Sequence, residues 1–113
     1  MSWYVLVETT VTSSSDDRWE LVKKIPVEGG REAALAHAEE LSRTYPPTDR
    51  PEEYGRLVFR TSPTHWIVET SRSYWADGRE RTSTRHFHLT AAELEFSREV
   101  PPAERPRSRW SRR

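Results

Sequence analysis

Apolar and polar residues alternate with a period of two along most of this chain, and one stretch switches to a helical period. Three short runs carry the clearest strand signal: Arg56–Arg60, His65–Glu69 and Arg85–Leu89, each rich in β-branched and aromatic side chains. Ser62-Pro63-Thr64 and Ala76-Asp77-Gly78 separate them, which predicts an antiparallel meander. Asp77-Gly78 is a strong hairpin signal, because a type I′ turn needs positive φ at both central residues. With that pair at the turn centre, Ala76 faces Arg79, Val68 faces Phe87 and Trp66 faces Leu89. A tight turn at Ser62-Pro63 pairs Phe59 with Trp66 and Leu57 with Val68. Both registers then place Leu57, Phe59, Trp66, Val68, Phe87 and Leu89 on one face, where a one-residue slip would turn a strand's apolar set outward. Pro63 is unfavourable at the second central position of a type I turn, which leaves open a loop one residue longer.

The same registers give the opposite face two cross-strand rows, Arg56–Glu69–His86 and Val58–Ile67–His88, with Arg60 and His65 beside them. Past Glu69 the last hairpin continues through Thr70–Trp75 and Glu80–Thr84 with no third strand predicted alongside. A two-stranded ribbon is marginal in water, so this arm is expected to lean on another strand or on a partner.

Before the meander, Trp3–Val11 is strongly β-forming, Thr12–Asp17 is a turn cluster and Trp19–Ile25 reads as the return strand. A register pairing Trp3 with Val27, Val5 with Ile25 and Val11 with Trp19 collects the apolar positions on one side. Pro26 cannot donate to a ladder and marks an edge or a strand end. After Gly29-Gly30, residues Arg31 to about Tyr45 form the one predicted main helix, with an apolar stripe of Ala34, Leu35, Ala38, Leu41 and Tyr45. Pro46-Pro47 ends it, and Thr48–Gly55 is a polar connector. Beyond Leu89, Thr90-Ala-Ala-Glu93 has capping-box form, whereas Leu94–Val100 alternates like a strand. The fold expected is α+β: an antiparallel sheet of about five strands covered on one face by one main helix. Residues 1–102 form its single domain and 103–113 a basic tail.

Composition changes this picture in a few places. Only 34% of the 113 residues are hydrophobic and 32% are charged, so the core is modest and its five tryptophans matter. The chain has no cysteine, which excludes a disulfide framework, a thiol nucleophile and thiolate metal sites. No apolar run is long enough to span a bilayer, and Met1-Ser-Trp-Tyr lacks the basic start of a signal peptide. A cytoplasmic location and no membrane partner are expected. The net charge is zero but uneven, about +4 in residues 104–113 and about −4 before them.

Three groups of residues could carry chemistry. On the arm, Arg72, Tyr74, Arg79, Arg81 and Arg85, with Trp75 on its other side, suit a protein partner or self-association. In the tail, Arg105, Arg107, Arg109, Trp110, Arg112 and Arg113 could join the arm in binding nucleic acid through counterion release, although an acidic body opposes this. On the sheet, His86-Phe-His88 faces His65 and Glu69, and two histidines at i, i+2 beside a carboxylate could hold a divalent metal. The bland readings are a solvated ribbon, a solvated tail and a half-exposed polar face in which Glu69 bridges Arg56 and His86. No nucleophile elbow, phosphate loop or dinucleotide fingerprint is present. The sequence therefore points to a non-enzymatic interaction module with no cofactor, with nucleic-acid binding and metal binding as alternatives.

Overall fold

The computed structural model describes residues 2–13 and 16–106. A first hairpin of β1 (Trp3–Ser13) and β2 (Asp16–Val27) leads into α1 (Gly30–Thr44). A short 3-10 turn, Pro51–Glu53, then opens the meander of β3 (Tyr54–Ser62), β4 (His65–Ala76) and β5 (Arg79–Glu93). The strands form one sheet in the order β2-β1-β5-β4-β3, antiparallel throughout. The helix lies across one face and touches all five strands. This is the α+β architecture that the sequence predicts.

The Asp77-Gly78 turn has φ of 54° and 76° at its two residues, as a type I′ turn requires. It sets the β4–β5 register over its whole length, with Ala76 opposite Arg79, Val68 opposite Phe87 and Trp66 opposite Leu89. β1 then pairs with the far side of β5, so Val7, Leu89 and Trp66 form one buried row across three strands. Val5, Val68, Phe87 and Ala91 complete the sheet side of the core. Ala34 and Ala38 of α1 are fully buried above them, their small side chains letting the helix sit close to the sheet. Ser42 is buried too, and its hydroxyl is satisfied by donating to the Glu39 carbonyl at 2.6 Å. Leu35, Leu41 and Tyr45 pack at the margin, Tyr45 edge-on to Phe87 with ring centroids 5.2 Å apart. Gly29 starts the helix at φ 106°, a left-handed conformation that glycine adopts without penalty.

Two registers differ from the sequence reading, and each difference is a β-bulge on an edge strand. Between β3 and β4, Arg60 pairs with Trp66 and Ser62 with His65, so Thr61 is an extra residue. Upstream of it Phe59 faces Ile67 and Leu57 faces Glu69, instead of Trp66 and Val68. Leu57 and Phe59 are therefore not core residues; each is 53% exposed on the sheet's far face. Arg56, Val58 and Arg60 turn to the helix side instead. The Arg56 guanidinium donates to the Ser42 carbonyl at 3.0 Å, and that of Arg60 stacks 4.8 Å over Trp66. The rows on the far face become Leu57–Glu69–His86 and Phe59–Ile67–His88.

Between β1 and β2 the expected pairs hold at Trp3–Val27 and Val5–Ile25, but Val22 is extra. Trp19 consequently pairs with Thr10 rather than Val11, and it joins Leu21 on the far face. Pro26 lies on an edge strand, as its missing N–H requires. The arm is shorter than expected, because β3 starts at Tyr54 and supports β4 as far as Arg72. At the C-terminal side, Thr90–Glu93 is neither a helical turn nor a break but the end of β5, paired with β1. The alternating Leu94–Val100 segment forms no strand.

Candidate functional site

Helix α1 covers one face of the sheet, and no described element covers the other. Along the middle of that open face a row crosses all five strands: Leu21, Glu8, His88, Ile67 and Phe59. The adjoining row carries Trp19 and Thr10 on the hairpin side, then His86, Glu69 and Leu57. Large apolar side chains thus occupy both edges, with titratable groups between them. Trp19 (49% exposed), Leu21, Leu57 and Phe59 present roughly half their surface to water. Trp75 extends the same face into the arm and is 74% exposed.

The polar centre is well connected. His65 Nε2 and His88 Nδ1 lie 3.0 Å apart, and the other ring nitrogen of His65 meets the Thr61 hydroxyl. Trp19 stands edge-on to His88 at 4.3 Å between ring centroids. Burial holds the His88 imidazole below its ordinary pKa, with His65 and His86 adding to the effect and Glu8 opposing it. His86 Nε2 is 3.6 Å from a Glu69 carboxylate oxygen, an exposed pair of small energetic weight. The four residues expected as a metal set therefore stand as two pairs, His86 with Glu69 in one cross-strand row and His88 with His65 diagonally across the next two. Among the described residues no three His, Cys, Asp or Glu side chains converge as ligands.

The arm residues divide between the two sides of the sheet. Arg72, Tyr74, Arg81 and Arg85 share the helix side with Arg79, while Trp75 lies on the open side. Arg72 pairs with Glu53 at 3.1 Å and Arg81 with Asp77 at 3.7 Å. Of the tail residues, Arg105 lies in the described part without regular structure, whereas Arg107, Arg109, Trp110, Arg112 and Arg113 lie outside the described residues. The open-face cluster of Trp19, Leu21, Leu57 and Phe59 escapes sequence reasoning, because it exists only through the two bulges. Its one signal is the unbroken Leu57-Val58-Phe59 run, which offers apolar side chains to both faces at once.

Fold and face together define a small two-layer α+β domain with one open, mixed apolar and polar sheet surface. In comparison with known proteins, no family model, no curated protein sequence and no solved structure matches this chain. Among the described residues no helix is long and apolar enough to cross a membrane.

Proposed function

We propose that this chain is a self-associating interaction module, in which the open sheet face packs against the same face of a second copy. The observation that carries the reading is the apolar rim: two bulged edge strands each turn two large apolar side chains out of the core and onto one uncovered surface. Large exposed apolar side chains gathered on one uncovered face, here as two edge clusters flanking a polar centre, are a feature of interaction sites. Five strands about 4.8 Å apart, over the roughly 30 Å of the shortest strand, give a face of about 700 Å². That is close to the roughly 800 Å² per partner of a standard stable interface. A second copy also suits the charges, since Glu8 and Glu69 sit beside His65, His86 and His88. A two-fold arrangement can bring the carboxylates of one face against the imidazoles of the other. The chain's zero net charge adds no long-range repulsion between copies.

The arm's part in this reading is an extension of the face through Trp75, with Tyr74 directed to the opposite side. The test needs no partner: light scattering after size exclusion on the wild type and on a Leu57→Asp, Phe59→Asp double variant. The wild type is expected to run as a dimer and the double variant as a folded monomer with an unchanged circular-dichroism spectrum. A Trp75→Ala, Tyr74→Ala variant should weaken the dimer without abolishing it. A wild type that stays monomeric at every concentration ends the proposal.

A further inference from the structure

The helix-bearing side of the sheet holds a second feature, separate from the open face. Past the end of α1 the sheet continues toward the arm, and the Pro46-Pro47-Thr48 segment overhangs it. The result is a cleft of about 440 Å³ with side chains from three strands on its floor, within the usual size range of small-molecule sites. Two cross-strand rows build that floor. Arg56, Thr70 and Arg85 form one, and Tyr54, Arg72 and Ser83 form the next. Tyr74 closes the arm end.

The charge of this cleft is one-sided. Three guanidinium groups line it and no carboxylate does, in a chain whose acidic and basic residues are equal in number. Glu53 reaches Arg72 at 3.1 Å, but its other oxygen is shared with Arg50 at the same distance. Among the described residues Arg56 and Arg85 have no carboxylate within ion-pair distance. The Arg56 guanidinium instead donates to the Ser42 carbonyl near the helix C-terminus, where the negative end of the helix dipole favours a cation. Burial also works against its charge. Two cations thus converge without counter-charge, which matches a dianion better than a single carboxylate. Arginine forks and the Thr70 and Ser83 hydroxyls supply the donor geometry that phosphate oxygens accept. Tyr54 and Tyr74, 38% and 45% exposed, offer rings at the cleft's margin against which a planar group can stack.

We propose that this cleft binds a phosphate monoester bearing a planar ring, a ligand of mononucleotide size. The phosphate sits among Arg56, Arg72 and Arg85, and the ring stacks on Tyr74 or Tyr54. The proposal is independent of self-association, which uses the other side of the sheet.

Isothermal titration calorimetry of the full chain with adenosine 5′-monophosphate, inorganic phosphate and adenosine tests it. The monophosphate is expected to bind tightest, phosphate more weakly and adenosine weakest, with affinity falling as salt rises. Arg85→Gln removes an exposed side chain and should leave the melting curve unchanged while weakening both anions by about ten-fold or more, the loss of one charge-assisted contact. Tyr74→Ala should weaken the monophosphate and leave inorganic phosphate unaffected. Arg79→Gln, at the arm tip and outside the cleft, should change neither. No binding of either anion at low salt overturns the proposal, as does equal loss in the Arg85 and Arg79 variants. Tighter binding of a single-stranded oligonucleotide than of the monophosphate would overturn the small-ligand reading in favour of nucleic acid.

Discussion

Leu89 and Leu57 stand on the same face if the strands pair without a bulge, and on opposite faces with the Thr61 bulge. Alanine at each position therefore separates the two registers. Leu89 is fully buried in a row with Val7 and Trp66. Leu89→Ala removes three carbons at about 0.8 kcal/mol each, or about 2.4 kcal/mol of transfer free energy. Rigid neighbours on both sides leave a cavity, which raises the expected loss to about 3–4 kcal/mol. Leu57 is 53% exposed, so about half of the same transfer free energy applies, roughly 1 kcal/mol, and solvent fills the space without a cavity penalty. An unfolding entropy of about 2.1 cal/mol/K per residue converts the Leu89 loss into a Tm drop of about 13–17 °C and the Leu57 loss into about 4 °C. Urea and thermal denaturation at several protein concentrations make the comparison, since the proposed association would add a concentration-dependent contribution that Leu57→Ala also weakens. At the lowest concentration the difference between the variants should be at least about 2 kcal/mol. Equal losses at every concentration would put Leu57 in the core and refute the bulged register.

The remaining expectations concern the bulge, the helix start and the histidines. Deleting Thr61 should remove the bulge and leave the pairs from Arg60–Trp66 upstream in place, because Ser62–His65 then follows Arg60–Trp66 directly. Urea denaturation should show a change of less than about 1 kcal/mol, and a larger loss would refute the assignment of Thr61 as the extra residue. Gly29→Ala, at φ 106° with the new Cβ 2.9 Å from that of Ala33, should cost about 2 kcal/mol by thermal melting. His88 has its folded pKa below the ordinary 6.5, so as pH falls through about 6.5 the unfolded chain takes up the proton first. Stability is thus unaffected by this group at higher pH and declines below 6.5 until the folded imidazole also protonates. His65, His86, Glu8 and Trp19 surround that imidazole, and His88→Gln should flatten the slope of denaturation midpoint against pH.

What the sequence made legible is local chemistry that forces a geometry. Asp77-Gly78 demands a type I′ turn, and from that one turn the whole β4–β5 register follows. Gly29 and Pro46 frame the helix to within a residue at each end, and Pro26 correctly marks a strand with an unpaired edge. The bulges were not legible, for a physical reason. Thr61 and Val22 carry no turn chemistry, and an extra residue in a strand is visible only where apolar alternation fixes the face on both sides of it. Leu57-Val58-Phe59 is apolar without interruption, and Leu21-Val22 likewise, so either phase looks acceptable. The cleft was hidden in a related way, because Arg56 belongs to it only after the bulge has turned β3 over, and Arg72 and Arg85 read equally well as a solvated arm.

The two bulges are therefore the link between fold and proposed function. Each lies on an edge strand, where an unpaired residue disrupts one ladder rather than two. The Val22 bulge moves Trp19 and Leu21 out of the helix-side core, and the Thr61 bulge does the same to Leu57 and Phe59. Burial of apolar surface alone does not favour this exchange, since an unbulged β3 would offer Leu57 and Phe59 to a core with nine buried apolar residues among the described ones. What the bulges produce is a rim of four large apolar side chains around a polar centre of histidines and glutamates, on the one sheet face that the helix leaves open. The same twist of β3 brings Arg56 beneath the helix end and into line with Arg85. The Thr61 bulge thus shapes both sides of the sheet at once, adding Leu57 and Phe59 to the open face and Arg56 to the cationic cleft.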